Sequence, residues 1–292
     1  MKKSNLFFTL FLLAFPLLIF SQAKDNPELQ KMADDDQNAR KVANIDWSVL
    51  NKEDSDRRAR ILVLMKEGKV LTAKDHFNAG IVFQHGNDSI SSGMAVKSFG
   101  QALKMDPTLN RWWYAAAVDR DLMRRNQPQI YGTQFYKDHT TNGKWARYKI
   151  DPSQVTDEQR KYYSVETLKE QEEKERKMNL ISLNEAYNKE KSIDKLIPFI
   201  KSEYKKGLAS KYNMGEGEIN SFGYQLAREN KMDDALKIFR LNIELYPNAW
   251  NTYDSYGENL LIVGKKKEAL ENYKKSLELN PDNENAKKVL GK

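Results

Sequence analysis

Residues 222–247 and 256–281 are two versions of one segment, and they decide the fold. The first reads FGYQLARENKMDDALKIFRLNIELYP and the second reads YGENLLIVGKKKEALENYKKSLELNP. A shift of 34 residues aligns Phe222 with Tyr256, Gly223 with Gly257, Leu226 with Leu260, Lys231 with Lys265, Ala235 with Ala269, Phe239 with Tyr273, and Pro247 with Pro281. So many matches at one offset indicate an internal structural repeat.

The repeated residue types are those that two packed helices require. Small residues suit a close helix crossing, aromatic residues fill the space toward the next helix pair, and proline ends a helix. We therefore predict that the repeat-packing residues are Gly223, Ala235, Phe239, Pro247, Gly257, Ala269, Tyr273 and Pro281.

This pattern resembles the tetratricopeptide repeat family over residues 216–292. The resemblance implies a helical solenoid with a concave surface that binds proteins or peptides, and it implies no chemistry. About three repeats are needed to bury a continuous core, so we expect residues 182–213 to supply a further neighbour and residues 284–290 a terminal cap. The predicted fold class is mostly α, a tetratricopeptide-like solenoid with one small β-hairpin in the middle of the chain.

The first residues, MKKSNLFFTLFLLAFPLLIFS (1–21), have the layout of a Sec-type signal peptide. Two lysines precede a run that is apolar except for Thr9, and small residues follow it, so we expect cleavage after Ser21 or Ala23. The alternative is a membrane anchor, but the run falls short of the roughly twenty residues that span a bilayer. The chain has no cysteine for lipid attachment. We therefore predict a periplasmic or secreted protein that is not a lipoprotein and has no membrane span after cleavage.

Between the leader and the repeats the sequence suggests three further segments. Residues 22–36 are a polar lead-in, residues 37–170 a helical domain, and residues 171–215 a helical connector. Within the helical domain, Asn142-Gly143 separates two β-prone runs, which predicts a hairpin near residues 130–150. The helix near residues 94–107 carries Ala95, Phe99, Ala102 and Pro107 at the repeat spacing of Ala235, Phe239, Asn242 and Pro247. A related helical hairpin, with an insertion near residues 86–92, is therefore expected there.

Four polar motifs stand out in the helical domain. They are Asp56-Arg57-Arg58, Gln84-His85-Gly86, Asp119-Arg120 and Tyr131-Gly132-Thr133-Gln134. Together they resemble an uncharacterised bacterial domain family over about residues 37–170. That resemblance implies a set of polar positions and no assigned reaction.

These motifs supply the candidate site residues. His85, Asp119 and Arg120 are the catalytic candidates, because histidine is a general base near neutral pH and a charged pair beside an apolar helix must be compensated when buried. Arg57, Gln84 and Gln134 are the ligand-binding candidates, since arginine binds carboxylate or phosphate and glutamine orients polar groups. The alternative is structural: a buried Asp119–Arg120 pair that ties the hairpin to the helices.

Composition excludes several functions. The absence of cysteine rules out disulfides, iron–sulfur clusters and thiol nucleophiles, and three histidines without an HExxH spacing rule out a zincin. His76 and His85 do not share a helix face, so no metal site is predicted. There is no phosphate loop, no GxGxxG turn and no Lys-Thr-Gly motif of serine β-lactamases, so no cofactor is predicted. The formal charge of +7 is too modest to indicate nucleic acid.

Three functional interpretations remain open. The leading one is a scaffold that binds a protein or peptide partner in the cell envelope. The second is an enzyme or small-ligand-binding domain with a site in residues 37–170, although the chain is more readily understood as a non-enzyme. The third is a purely structural accessory subunit.

Overall fold

A computed structural model describes residues 23–291, so the predicted signal peptide lies outside the described residues. Two compact units are present. Unit 1 is formed by residues up to Tyr136 together with Arg147–Lys169, and unit 2 by Lys137–Ala146 together with the residues from Glu170 onward. The described residues form fourteen α-helices and one two-stranded sheet. The chain is therefore mostly α with one small hairpin, as the sequence predicts.

Unit 1 is built on five helices that share one apolar core. They are α1 (Pro27–Ala39), α2 (Trp47–Lys66), α3 (Ala73–Phe83), α4 (Ser89–Met105) and α5 (Trp112–Arg124). The core includes Leu29, Ile61, Val82 and Phe99, each almost completely buried. The short helix α6 (Asp157–Tyr162) follows, and α7 (Leu168–Met178) leads the chain into unit 2.

The expectation of a loose polar lead-in over residues 22–36 is wrong, because most of that segment is helix α1. Asn26 caps the helix and its backbone N–H donates to Asp75 Oδ1 at 2.7 Å. The inward face consists of Leu29, Met32 and Ala33, which follow one another at helical spacing. Most residues of the segment are polar, so its overall composition did not indicate the narrow apolar stripe that forms the inward face of α1.

Helices α3 and α4 form the expected repeat-like hairpin. A Cβ atom on Gly80 would come within 2.7 Å of the Phe99 ring, which is the same close approach that Gly223 makes to Phe239 in unit 2. Ala95 and Ala102 of α4 are fully buried, as their repeat spacing predicts. The loop that joins α3 to α4 is longer than the one in the C-terminal repeats, which agrees with the predicted insertion.

The β-hairpin is present but much shorter than predicted. Its strands are β1 (Phe135–Tyr136) and β2 (Ala146–Arg147), and a 3₁₀ turn (His139–Thr141) lies between them. Asn142 and Gly143 both have positive φ, at 51° and 71°, but they close this wider turn and do not form a two-residue loop. The strands stop short because the N–H groups of residues 130–133 bind a buried carboxylate instead of a neighbouring strand.

Unit 2 contains three consecutive helix pairs and a terminal helix. They are α8 (Leu183–Glu190) with α9 (Ile193–Lys205), α10 (Glu216–Arg228) with α11 (Met232–Leu245), α12 (Trp250–Ile262) with α13 (Lys266–Leu279), and α14 (Glu284–Leu290). One continuous core runs from Leu183 through Phe222 and Phe239 to Ala269. The segment 182–213 therefore supplies the neighbour that two repeats require. Among residues 23–291, no helix is both long and apolar enough to cross a membrane.

Candidate functional site

A buried carboxylate organises the loop that precedes β1. Asp119, on α5, has no solvent exposure. Its Oδ1 accepts the backbone N–H groups of Ile130 and Tyr131, both at 2.9 Å. Its Oδ2 accepts those of Gly132 and Thr133, both at 2.8 Å, and also the Thr133 hydroxyl at 2.8 Å. Five donors thus compensate the buried charge, and Asp119 is fully engaged within the fold.

A buried arginine also binds this loop, through hydrogen bonds to the carbonyl groups of the loop. Arg160, on α6, is 1% exposed. Its guanidinium donates to the Tyr131 carbonyl at 3.1 Å, the Ile130 carbonyl at 2.9 Å and the Val155 carbonyl at 2.6 Å. Asp157, 3.2 Å away, is its acidic partner. Sequence reasoning missed Arg160, because an arginine in a short polar helix carries no signal of burial.

Two glutamines complete this structural cluster. Gln129 is fully buried, donates to the carbonyls of Gln134 and Tyr148, and accepts the Gln134 backbone N–H. The Gln134 side chain donates to the Ala116 carbonyl and to the Thr133 hydroxyl. The hydrogen bonds of Gln134 therefore stabilise the loop. Its role in ligand binding stays a prediction.

The expected Asp119–Arg120 pair is absent, because the two side chains leave α5 in different directions. Successive residues of a helix point about 100° apart. Arg120 donates to Gln84 Oε1 at 2.9 Å, and no carboxylate among residues 23–291 lies within ion-pair distance of it. Burial, together with the charge of Arg124, lowers the pKa of Arg120 to about 10, and Asp119 offsets this only in part. The candidates thus divide into one group around Asp119 and another around Arg120.

His85 belongs to a third, connected set of charges. Its Nδ1 lies 2.8 Å from Oδ2 of the fully buried Asp36. Arg40 joins Asp36 to Asp54, with contacts of 3.0 and 2.5 Å, and Arg57 contacts Asp54 at 2.7 Å. Because a carboxylate only accepts hydrogen bonds, Nδ1 of His85 is the donor in this contact, which orients the imidazole ring toward Asp36.

The ion pairs around Asp54 explain the position of Arg57. Burial alone would raise the pKa of Asp54, but hydrogen bonds from Arg40 and Arg57 outweigh it and lower the pKa. Arg57 is engaged by Asp54 and Glu53, and its buried Nε has no hydrogen-bond partner. Within the described part of the chain, no cluster of three acidic or histidine side chains is arranged to hold a metal ion.

The predicted packing residues of unit 2 lie at helix contacts and helix ends, but Phe239 and Tyr273 pack against Gly223 and Gly257 of their own helix pairs, whereas the residue pattern directed them toward the next pair. Ala235, Ala269 and Phe239 are fully buried, and a Cβ atom on Gly257 would lie 3.2 Å from the Tyr273 ring. Pro247 and Pro281 are exposed and follow the ends of α11 and α13 by two residues.

The first helices of the pairs in unit 2 form a row connected by polar side chains. Gln225 of α10 donates to Asn184 Oδ1 of α8 at 2.9 Å. Tyr224 of α10 donates its hydroxyl to Glu258 of α12. Asn285 of α14 donates to Asp254 of α12 at 3.0 Å. Helices α8, α10, α12 and α14 are therefore neighbours in sequence order, and the surface that their side chains form is here called the first-helix face.

Comparison with known proteins gives weak matches. No protein-family model matches the chain, and no curated protein matches it. Among solved structures the chain is similar to YrrB, a TPR protein with an unusual peptide-binding site, at 14% identity and a TM-score of 0.28, over 80% of this chain and 98% of that one. It is also similar to the APC/C hetero-tetramer Cut9-Hcn1 at 13% identity and a TM-score of 0.29, over 90% of this chain and 51% of that one. At TM-scores this low, the helical-repeat assignment rests on the packing and period described above.

Proposed function

We propose that this protein is an exported scaffold whose unit 2 binds a protein or peptide partner of the cell envelope across the first-helix face. Helical repeats of this kind bury their cores between neighbours and leave an extended surface for recognition. The proposal concerns binding and includes no reaction.

The observation that carries the proposal is a difference between two classes of position. The packing residues of α10–α11 and α12–α13 are nearly the same, because the helix crossings dictate them. The positions on the first-helix face carry different residues in the two repeats. At the 34-residue offset, Gly217, Asn220, Tyr224 and Arg228 of α10 correspond to Asn251, Asp254, Glu258 and Ile262 of α12. Packing does not fix these positions, which leaves them available for recognition.

An unpaired acceptor lies on the same helix face. Asn220 Oδ1 is buried and has no hydrogen-bond partner. Its counterpart one repeat later, Asp254, accepts hydrogen bonds from Asn283 and Asn285. A buried acceptor without a donor is costly, so a backbone N–H of a bound peptide would stabilise Asn220.

Export is the second part of the proposal, and it rests on the leader sequence alone. The basic start, the apolar run and the small residues that follow are the features that the secretion machinery recognises. A partner in the cell envelope follows from that location.

Site-specific photo-crosslinking in the producing cell tests the proposal. A photoreactive residue is placed at Tyr224 or Glu258 on the first-helix face, and the control is placed at Lys274, exposed on the second helix α13. We expect both face positions to yield the same partner adduct and Lys274 to yield none. Adducts of equal intensity from Lys274, or none from either face position, would contradict binding at this surface.

A further inference from the structure

A cavity of about 380 Å³ lies in unit 1 and is lined by residues of α2, α3 and α4. Small-molecule pockets in proteins have about this volume, and they combine apolar surface with a few polar groups. The lining includes Met65 of α2, His76 of α3, and Met94, Lys97, Ser98 and Gln101 of α4. We call this the α4 cavity.

One wall of the α4 cavity is a single face of helix α4. Met94, Lys97, Ser98 and Gln101 follow one another at the i, i+3, i+4 and i+7 spacing of one helix face. Met94 adds apolar surface, and the other three residues bring an ammonium, a hydroxyl and a carboxamide group. Hydrogen-bond donors therefore lie next to apolar surface in one cavity.

The hydroxyl of Ser98 has no function in packing. Ser98 is 2% exposed, and its Oγ has no hydrogen-bond partner. The repeat spacing aligns Ser98 with Ile238 of α11 and Asn272 of α13. Ile238 is a fully buried apolar residue, and Asn272 donates its amide to the Glu268 carbonyl at 2.9 Å. An unpaired buried hydroxyl is costly, and at Ser98 it lies beside a cavity from which a bound molecule can reach it.

The α4 cavity contains one positive charge, that of Lys97. Lys97 is exposed, and it forms no ion pair with any residue between 23 and 291. Burial lowers the pKa of His76 and the charge of Asp75 offsets this only in part, so the imidazole is neutral at pH 7 and adds no second cation. No acidic side chain is among the described residues that line the cavity. A ligand that fits this lining therefore has one negative charge.

We propose that the α4 cavity binds a monocarboxylate with an apolar chain, a medium-chain fatty acid. The carboxylate accepts hydrogen bonds from the Lys97 ammonium group and the Ser98 hydroxyl, which gives the buried hydroxyl its partner. The chain packs against Met65 and Met94, whose flexible thioether side chains adapt to an alkyl group. A single cation balances a monoanion, whereas a phosphate dianion would keep an uncompensated charge. This site lies in unit 1 and is independent of the first-helix face proposed for unit 2.

Calorimetric titration of the full chain with sodium octanoate and sodium butanoate tests the proposal. We expect saturable binding of octanoate, with an affinity that rises about four-fold for each methylene group between the two acids. Lys97→Gln should lower the affinity for octanoate by roughly ten- to a hundred-fold, the effect of one charge-assisted hydrogen bond. Lys104→Gln is the matched control, because it removes the same charge from an exposed position of α4 that does not line the cavity. The control should bind octanoate as tightly as the wild type.

Ser98→Ala separates a ligand site from a structural role. The change removes a buried hydroxyl that has no partner in the fold, so the urea midpoint should stay the same or rise, while octanoate binding should weaken roughly three- to ten-fold. Octylamine has the same chain with the opposite charge and should not bind. Absence of saturable octanoate binding, equally tight binding of octylamine, an equal loss in Lys104→Gln, or unchanged octanoate binding in Ser98→Ala would overturn the proposal.

Discussion

Replacing Asp119 by asparagine tests the central structural element of unit 1. The carboxylate accepts four backbone N–H groups and one hydroxyl, and it is fully buried. An asparagine amide keeps one acceptor oxygen, so whichever way it turns, its NH₂ group faces two backbone N–H donors. Each unpaired buried donor costs about 1–3 kcal/mol, so Asp119→Asn should lower the free energy of unfolding by roughly 2–6 kcal/mol.

The measurement must report on unit 1 alone, because a chain with two units need not unfold in one step. Hydrogen exchange of the peptide that contains residues 129–134 follows the four N–H groups directly. We expect these amides to lose protection in Asp119→Asn under native conditions and urea unfolding to begin earlier. Asp121→Asn is the matched control on the same helix, since Asp121 forms a partly exposed pair with Arg125 that should contribute about 1 kcal/mol or less.

Unchanged protection of residues 129–134 in Asp119→Asn would refute the reasoning. It would mean that the loop is held by Arg160 and the glutamines without the carboxylate. Loss of protection in both variants would show that any charge removed from α5 has the same effect, and the specific role of Asp119 would then be wrong.

Three further predictions concern two helix crossings and the leader sequence. Gly80→Ala should destabilise unit 1 by about 1–3 kcal/mol in urea, because the new methyl group meets an aromatic ring at 2.7 Å, whereas Gly217→Ala has open space and should be neutral or slightly stabilising. Ala269→Leu should overpack the α12–α13 crossing by about 1–3 kcal/mol, and the exposed Lys266→Leu should change stability far less; equal urea midpoints would remove the physical basis of the repeat. N-terminal sequencing of the exported protein should begin within residues 22–24, and recovery in the cytoplasm with the leader intact would contradict export.

The repeat could be predicted from sequence because its residues are local and periodic. Gly223 and Phe239 recur as Gly257 and Tyr273 at one offset, and the structure places both pairs in the same contact. The same pattern identified the hairpin of α3 and α4, where the loop had lengthened. Helix α1 escaped prediction, since three buried apolar residues among polar ones do not change the average character of a segment.

The polar residues of unit 1 show the limit of such prediction. The sequence indicated that the negative charge of a buried Asp119 needs a partner, but the adjacent Arg120 is not that partner. Helix geometry turned Arg120 toward Gln84, and the loop at residues 130–133 brought its backbone N–H groups to Asp119. Every residue except proline has a backbone N–H group, so the residue types in the sequence do not indicate which N–H groups bind Asp119.

The sequence by itself therefore determined the helical-repeat class, the packing residues and the set of polar positions, because periodicity and residue size act over short distances along the chain. Only the tertiary structure decided which charges are neutralised within the fold and which are not. Arg57 and Arg58 are adjacent and chemically identical, yet Arg57 contacts Asp54 at 2.7 Å, whereas Arg58 forms no ion pair with any residue between 23 and 291. That distinction depends on the direction in which each side chain leaves its helix and on what the rest of the chain places there.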